Sequence, residues 1–172
     1  VPDPAMFDDL MAQGLRRQGM LFYKPECQGC RACLPIRVPV SRFRPSRSQR
    51  RLLSKYGTRY EVTTGPARYE PEHFEMYAAH AKHVSSRNQS DNAGLYRLAF
   101  VDSLIQTHFF EYRIDGELVA VSILDAGETS VSSVYAFWDP RFAQFSPGTF
   151  SALWELDWAL SHNKTYYYLG YW

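Results

Sequence analysis

Cys27, Cys30 and Cys33 stand at equal spacing around Gly29, and downstream of them Arg42, Arg44, Arg47, Arg50, Arg51 and Lys55 fall in a stretch that holds no Asp or Glu. Thiols at this spacing can face one metal or cluster only where the backbone loops tightly, and glycine is the residue such a loop wants. Arginine forks bind phosphate bidentately, and a helix beginning near Ser46 or Ser48 would add its N-terminal amides. The basic run therefore has the chemistry of a nucleic-acid backbone contact. Phe43, set between two of the arginines, and the adjoining cysteine loop distinguish it from an ordinary solvated helix face.

The thiols can be set against known ligand spacings. The bacterial ferredoxin run C-x2-C-x2-C-x3-C is followed for three cysteines, and then Arg37 stands where the fourth thiolate should be. Structural zinc takes four ligands, usually as two separated pairs, and the chain has only these 3 cysteines. A site here would be completed by a histidine or by a segment outside this sequence; otherwise the thiols are reduced and simply packed in a loop. Disulfides fit less well, because cysteines this close strain against one another and leave one over. His80 and His83, three apart on an expected helix, could share a metal but have no supporting carboxylate or third histidine at a matching spacing. They read as polar surface positions.

The elements that must position these residues follow from pattern. With 172 residues, 45% hydrophobic and 16% aromatic, the chain can bury a substantial core as one large domain or two small ones. Formal charge is nearly balanced at +1, so the basic run is a local concentration. No apolar run approaches membrane-spanning length and Val1-Pro-Asp-Pro4 has no signal-peptide regions, so no membrane contact and a cytoplasmic protein are expected. The chain begins without Met and stops on the aromatic run Tyr166–Trp172, so further residues are expected at each end.

A helix over 5–18 places Phe7, Leu10, Met11 and Leu15 on one face, with Asp3 and Pro4 as start and Gly19 as stop. Short strands are expected at 21–23 and 36–40, the second confined to an edge by Pro39, and these elements read as a small N-terminal unit. After the basic helix come a strand at 59–63, a helix from Pro71 to about Ser85 with Phe74, Tyr77, Ala78, Ala81 and Val84 on one side, a loop over 85–92, and a helix over 95–103. Strands at 107–114 and 117–124 flank Asp115-Gly116, a two-residue hairpin signal. A third strand at 130–138, a helix over 148–161 and a strand at 165–171 complete the chain.

Antiparallel strands, helix, then strand is the core order of an α+β, N-acetyltransferase-like (GNAT) fold, with a mixed sheet flanked by helices. The division expected is 1–65 for the cysteine-loop and basic-helix unit and 66–172 for the acyl-transfer domain. That fold normally cradles the pyrophosphate of coenzyme A in a Gly-rich loop opening the helix. Here Gln144 to Thr149 lacks the R/Q-x-x-G-x-G/A pattern, so a different activated acyl group is the expected donor, and the basic run upstream suggests one carried on RNA.

Gly14-Leu-Arg16-Arg17-Gln-Gly19, the cysteine loop with Pro35 and Arg37, Arg47-Ser-Gln-Arg50-Arg51, Ser132 to Pro140, Gly148-Thr149 and Tyr168-Leu-Gly170-Tyr171-Trp172 together resemble the aminoacyl-tRNA–protein transferases. The best match is the bacterial aspartate/glutamate leucyltransferase branch, which is similar to the eukaryotic arginyltransferases. The resemblance covers nearly the whole chain, with its motifs in order.

It implies transfer of leucine from leucyl-tRNA to the α-amino group of proteins beginning with Asp or Glu, marking them for degradation, with no cofactor required for transfer. Family iron–sulfur binding makes a redox-sensing cluster one use of Cys27, Cys30 and Cys33, beside zinc and plain packing. Tyr135, Asp139 and Tyr168 frame the inferred acyl site and are candidates for proton transfer or amine positioning; aromatic core and a turn cap are the alternatives. Arg16, Arg17 and Arg37 are candidates for the acidic side chain, with structural salt bridges as the alternative, and Gly148 and Thr149 for substrate at the helix start. Arg42, Arg44, Arg47, Arg50, Arg51 and Lys55 would bind tRNA. An arginyltransferase, a peptidoglycan-type aminoacyltransferase and a non-catalytic nucleic-acid-binding adaptor on the same fold are the other readings.

Overall fold

Asp115 and Gly116 take φ of 52° and 82°, the left-handed pair that a two-residue type I′ turn requires. In a computed structural model, which describes residues 3–84 and 92–172, this turn joins β5 (Gln106–Ile114) to β6 (Glu117–Ala126). β7 (Ser130–Trp138) adds antiparallel to β6. β6 is buried at every residue after Glu117 and its sequence is an almost unbroken apolar run, as a central strand covered on both faces must be. All but Asn92 of the loop expected over 85–92 lies outside the described residues.

Six strands form a mixed sheet in the order β3-β8-β7-β6-β5-β4, with β3 (Pro35–Pro39) and β4 (Glu61–Pro66) at its edges. Pro39 is tolerated because β3 pairs on one side only. β8 (Tyr166–Tyr171) returns parallel to β7, and that crossover is made by α5 (Pro147–Ser161). The boundary expected near residue 65 falls inside β4, and residues on both sides of it contribute strands to this one sheet.

Alternation along β5 separates the two faces. Phe110 and Tyr112 point to α5, where they meet Trp158 and Phe150, whereas Phe109 lies under His73 of α3 (Pro71–Val84). The basic helix α2 (Arg47–Tyr56) starts on a full capping box between Ser46 and Gln49 and packs Leu52, Leu53 and Tyr56 into the core on the α5 face.

Three elements depart from the periodicity. The first helix, α1 (Pro4–Ala12), ends early; the chain turns at Gly14, and 16–18 form strand β1 (Arg16–Gln18) paired with β2 (Leu21–Tyr23). The reason is local: Gly14 takes a φ of 82° just past the cap Gln13, with Gly14 N donating to Met11 O at 3.0 Å and Leu15 N to Leu10 O at 3.1 Å, which closes the helix; Arg17 of the strand that follows is then held in the core by Asp125. On α3 the buried positions include His73 and His80, while Val84 is 54% exposed, so His80 is a core residue and His83 alone of the pair keeps the expected surface position. The helix expected over 95–103 is α4 (Ala93–Tyr96) followed by a π-helical turn (Arg97–Val101), closed by Asp102 N donating to Arg97 O at 2.8 Å.

Arg17 Nε and Nη2 donate to the two Asp125 oxygens at 2.5 and 2.9 Å, and Nη1 donates to Gly19 O at 2.7 Å. Thr107 Oγ1 donates to Asp125 at 2.7 Å. Both side chains of the ion pair are only 1% exposed. Removing one partner strands the other charge in the core, so Asp125→Ala is expected to cost about 3–5 kcal/mol, read as a lower denaturation midpoint. Asp125→Asn, which keeps the shape, should cost less.

Candidate functional site

β7 and β8 run together only at Ser130–Ser132 and Tyr166–Tyr168 and then part, so from Ser133 onward β7 has no strand neighbour on that side. The β1–β2 hairpin lies across the opening. Arg16 Nη2 donates to Ser133 O at 2.6 Å, and a Cβ placed on Gly170 of β8 would come within 3.2 Å of Arg16 Nη1. The guanidinium thus sits between the diverging strands. Its Nη1 is buried and has no hydrogen-bond partner among the described residues, and burial pulls the Arg16 pKa below its ordinary value. Tyr171 holds the hairpin from the other side, its hydroxyl donating to Gly14 O at 2.8 Å.

The hairpin tip is fixed onto the π-helical turn. Gly19 N donates to Ala99 O at 3.2 Å, and a Cβ at Gly19, whose φ is 60°, would meet Leu98 O at 2.6 Å, so only glycine fits there. Between the hairpin, the π-helical turn, α3 and β7 lies a cleft of about 740 Å³. Tyr77, Phe100 and Tyr135 form one of its walls, with ring centroids 5.3–5.9 Å apart. Tyr96 lines it too, its buried hydroxyl without a partner among the described residues, and burial raises both the Tyr96 and the Tyr135 phenol pKa.

Of the three catalytic candidates, Tyr135 alone lines this cleft. Asp139 caps the 3-10 turn Pro140–Phe145, accepting from Arg141 N and Nε at 2.9 and 2.8 Å, and this pairing lowers its pKa. Tyr168 packs on α1 against Phe7 and Met11, and its hydroxyl accepts from Arg37 Nη1 at 3.3 Å. Neither offers a free proton-transfer group to the cleft. Among the acid-binding candidates Arg17 is consumed by Asp125, Arg37 is exposed beside Tyr166 with its guanidinium 4.2 Å from the ring, and Arg16 faces the opening. Gly148 makes room for a neighbour: its Cβ would lie 3.0 Å from the Trp138 ring, which crosses the start of α5, while Thr149 is exposed.

Arg42, Arg44, Arg47, Arg50, Arg51 and Lys55 are all exposed, and none makes an ion pair among the described residues. Because α2 packs on the α5 face, they do not line the cleft, which opens on the α3 face. Cys27, Cys30 and Cys33 are exposed in the connection between β2 and β3, and among the described residues no three Cys, His, Asp or Glu side chains converge on a point. These thiols do not by themselves form a closed coordination set for zinc or a cluster.

Sequence reasoning missed Tyr77, Tyr96 and Phe100 as cleft residues, because an aromatic at helical spacing carries no sign of which cavity it faces. It also missed Glu155, 1% exposed on α5, which accepts a short hydrogen bond from the Tyr167 hydroxyl while Tyr112 bonds the neighbouring Ser122 at 3.0 Å. The available signal was a carboxylate among the core positions Phe150, Ser151, Leu156 and Ala159. Burial pushes the Glu155 carboxyl from an ordinary 4.5 up to about 7. The folded state therefore holds its proton more tightly than the unfolded chain. Its contribution is complete below pH 4.5 and disappears as pH rises through about 7. Glu155→Gln should match the parent near pH 4.5 and exceed its stability at pH 8 by on the order of 3 kcal/mol; denaturation curves at the two pH values measure this.

The model for "Arginine-tRNA-protein transferase, C terminus" matches residues 72–172, and that for the N terminus matches residues 2–51. An aspartate/glutamate leucyltransferase of Methylobacillus flagellatus is 38% identical over 172 residues, covering 99% of this chain and 69% of the relative. One from Chromobacterium violaceum is 35% identical, covering 99% of this chain and 71% of the relative. Among solved structures, the C-terminal domain of a protein described as a lysylphosphatidylglycerol synthetase from Agrobacterium fabrum superposes with a TM-score of 0.60 at 13% identity, covering 98% of this chain and 52% of that one. FemX superposes at 0.58 with 12% identity, covering 95% and 59%. These two likenesses concern the fold: a mixed sheet flanked by helices.

Proposed function

The chain belongs to the arginine-tRNA-protein transferase family, and from that premise we propose that it transfers leucine from leucyl-tRNA to the α-amino group of proteins that begin with Asp or Glu. The observation that carries this reading is identity of 35–38% with aspartate/glutamate leucyltransferases over nearly the whole chain. We read the sheet as GNAT-like, with the parted strands β7 and β8 as the place of acyl transfer. An aminoacyl-tRNA donor sets this work in the cytoplasm, and the product is a protein marked for degradation.

The donor is an activated ester, so alignment is most of the work. The amine nitrogen attacks the leucyl carbonyl carbon, the bond from that carbon to the terminal ribose oxygen breaks, the attacking nitrogen gives up a proton and the ribose oxygen gains one. No covalent enzyme intermediate is needed. Tyr135 lines the cleft, and its hydroxyl is our candidate to hold the carbonyl or the amine. Arg16, with a buried N–H lacking a partner among the described residues, suits the carboxylate of an acidic first residue. The exposed cations of α2 and of the segment before it would grip tRNA phosphates. The transfer uses no step through Cys27, Cys30 and Cys33; a zinc ion or iron–sulfur cluster there would need a ligand from elsewhere.

Labelled leucyl-tRNA offered with peptides beginning Asp, Glu or Ala tests the reading: transfer to the acidic pair alone is expected, and transfer to none would leave the adaptor. Arg16→Ala should raise KM for the acidic peptide about tenfold or more with tRNA affinity unchanged; equal loss of both would reassign Arg16. Neutralising Arg47, Arg50 and Arg51 together should weaken tRNA binding and lower its salt dependence by about one unit of slope for each phosphate that is no longer neutralised.

A further inference from the structure

Met20, Leu21, Leu95 and Leu98 are 50%, 73%, 53% and 48% exposed, and all four line the same cleft. Scattered apolar side chains on a surface need no explanation, but a cluster around the rim of a cavity marks a binding site. Inside that rim stand the packed rings of Tyr77, Phe100 and Tyr135. The charged groups of the lining are Arg16 and Arg17, the second of them neutralised by Asp125, and no Asp or Glu lines the cleft among the described residues.

This combination discriminates between donors. A branched aliphatic group entering the cleft gains burial against rings and leucines and brings no charge of its own to desolvate. A guanidinium entering the same space would shed its water, find no carboxylate among the described lining residues, and meet the charge of Arg16. Val134 and Tyr135 of the lining stand just past the point where β7 leaves β8, so a side chain held against them lies near the opening between the strands.

We propose that this cleft is the donor side-chain pocket, seating the leucyl group against the rings of Tyr77, Phe100 and Tyr135, and that its apolar, carboxylate-free lining is what rejects an arginyl donor. The inference rests on the leucyl-transfer reading above, and it fails or stands on a binding measurement that needs no turnover.

The probes are non-hydrolysable amide analogues of leucyl-adenosine and arginyl-adenosine, titrated into the protein by calorimetry. The unaltered chain should bind the leucyl analogue about tenfold or more tighter than the arginyl one, the scale on which an apolar pocket separates side chains. Leu98→Asp, which places a carboxylate on the exposed rim, should reduce or reverse that ratio, whereas Leu98→Asn should weaken the leucyl analogue without favouring the arginyl one. Leu95→Asp, at a still more exposed position, gives the same test should Leu98→Asp not fold. Equal affinity of the two analogues, or an unchanged ratio in a folded aspartate variant, would overturn the pocket assignment. Leucyl preference in binding with no transfer to any peptide would overturn the transferase reading and leave the pocket in place.

Discussion

The buried pair of Arg17 and Asp125 fixes how the molecule is put together. Asp125 is at the end of the central strand β6 and Arg17 on a three-residue strand near the N-terminus, so their bond ties the ends of the chain's plan together across 108 positions of sequence. Two charges out of water are tolerable only when each polar atom is answered. Thr107 and the Gly19 carbonyl supply the additional bonds. Once Arg17 is held, its neighbour Arg16 reaches the backbone of β7, and Gly19 is set against the π-helical turn. One ion pair thereby positions the hairpin that roofs the cleft.

The cleft also depends on what the sheet leaves unmade. β8 pairs with β3 along its whole length but with β7 over three residues only, and the parting of those strands exposes backbone that a continuous sheet would cover. Arg16 answers one such group, the Ser133 carbonyl, and keeps a second N–H in reserve. The register shift between Ile123 and Leu124, opposite Tyr135 and Ser133, falls at the same level, where a bulge turns Val134 out of the ladder and toward the cavity.

Much of this was legible in the chain. The Asp115-Gly116 hairpin, β7 at 130–138, the capped basic helix after Ser46 and the closing helix and strand follow from turn chemistry, alternation and capping, which are local. The burial of His80 was not, because it is decided by a partner more than fifty residues away, the Trp138 carbonyl; the early end of α1 carried a local signal, Gly14, which the apolar spacing through Leu15 overrode. Of the residues singled out from their motifs, Tyr135 and Arg16 line the cleft, whereas Asp139, Tyr168 and Arg17 share those motifs and serve a cap, a packed layer and an ion pair. Motif membership says that a residue matters to the architecture; only geometry separates the ones that face a cavity from the ones that hold it open.

The sheet itself is a partition. Its α5 side carries the helix studded with exposed cations, and its α3 side carries the greasy chamber. A large polyanion and a polypeptide chain arriving at such a molecule need not queue at a shared doorway, and each can be present while the other comes and goes.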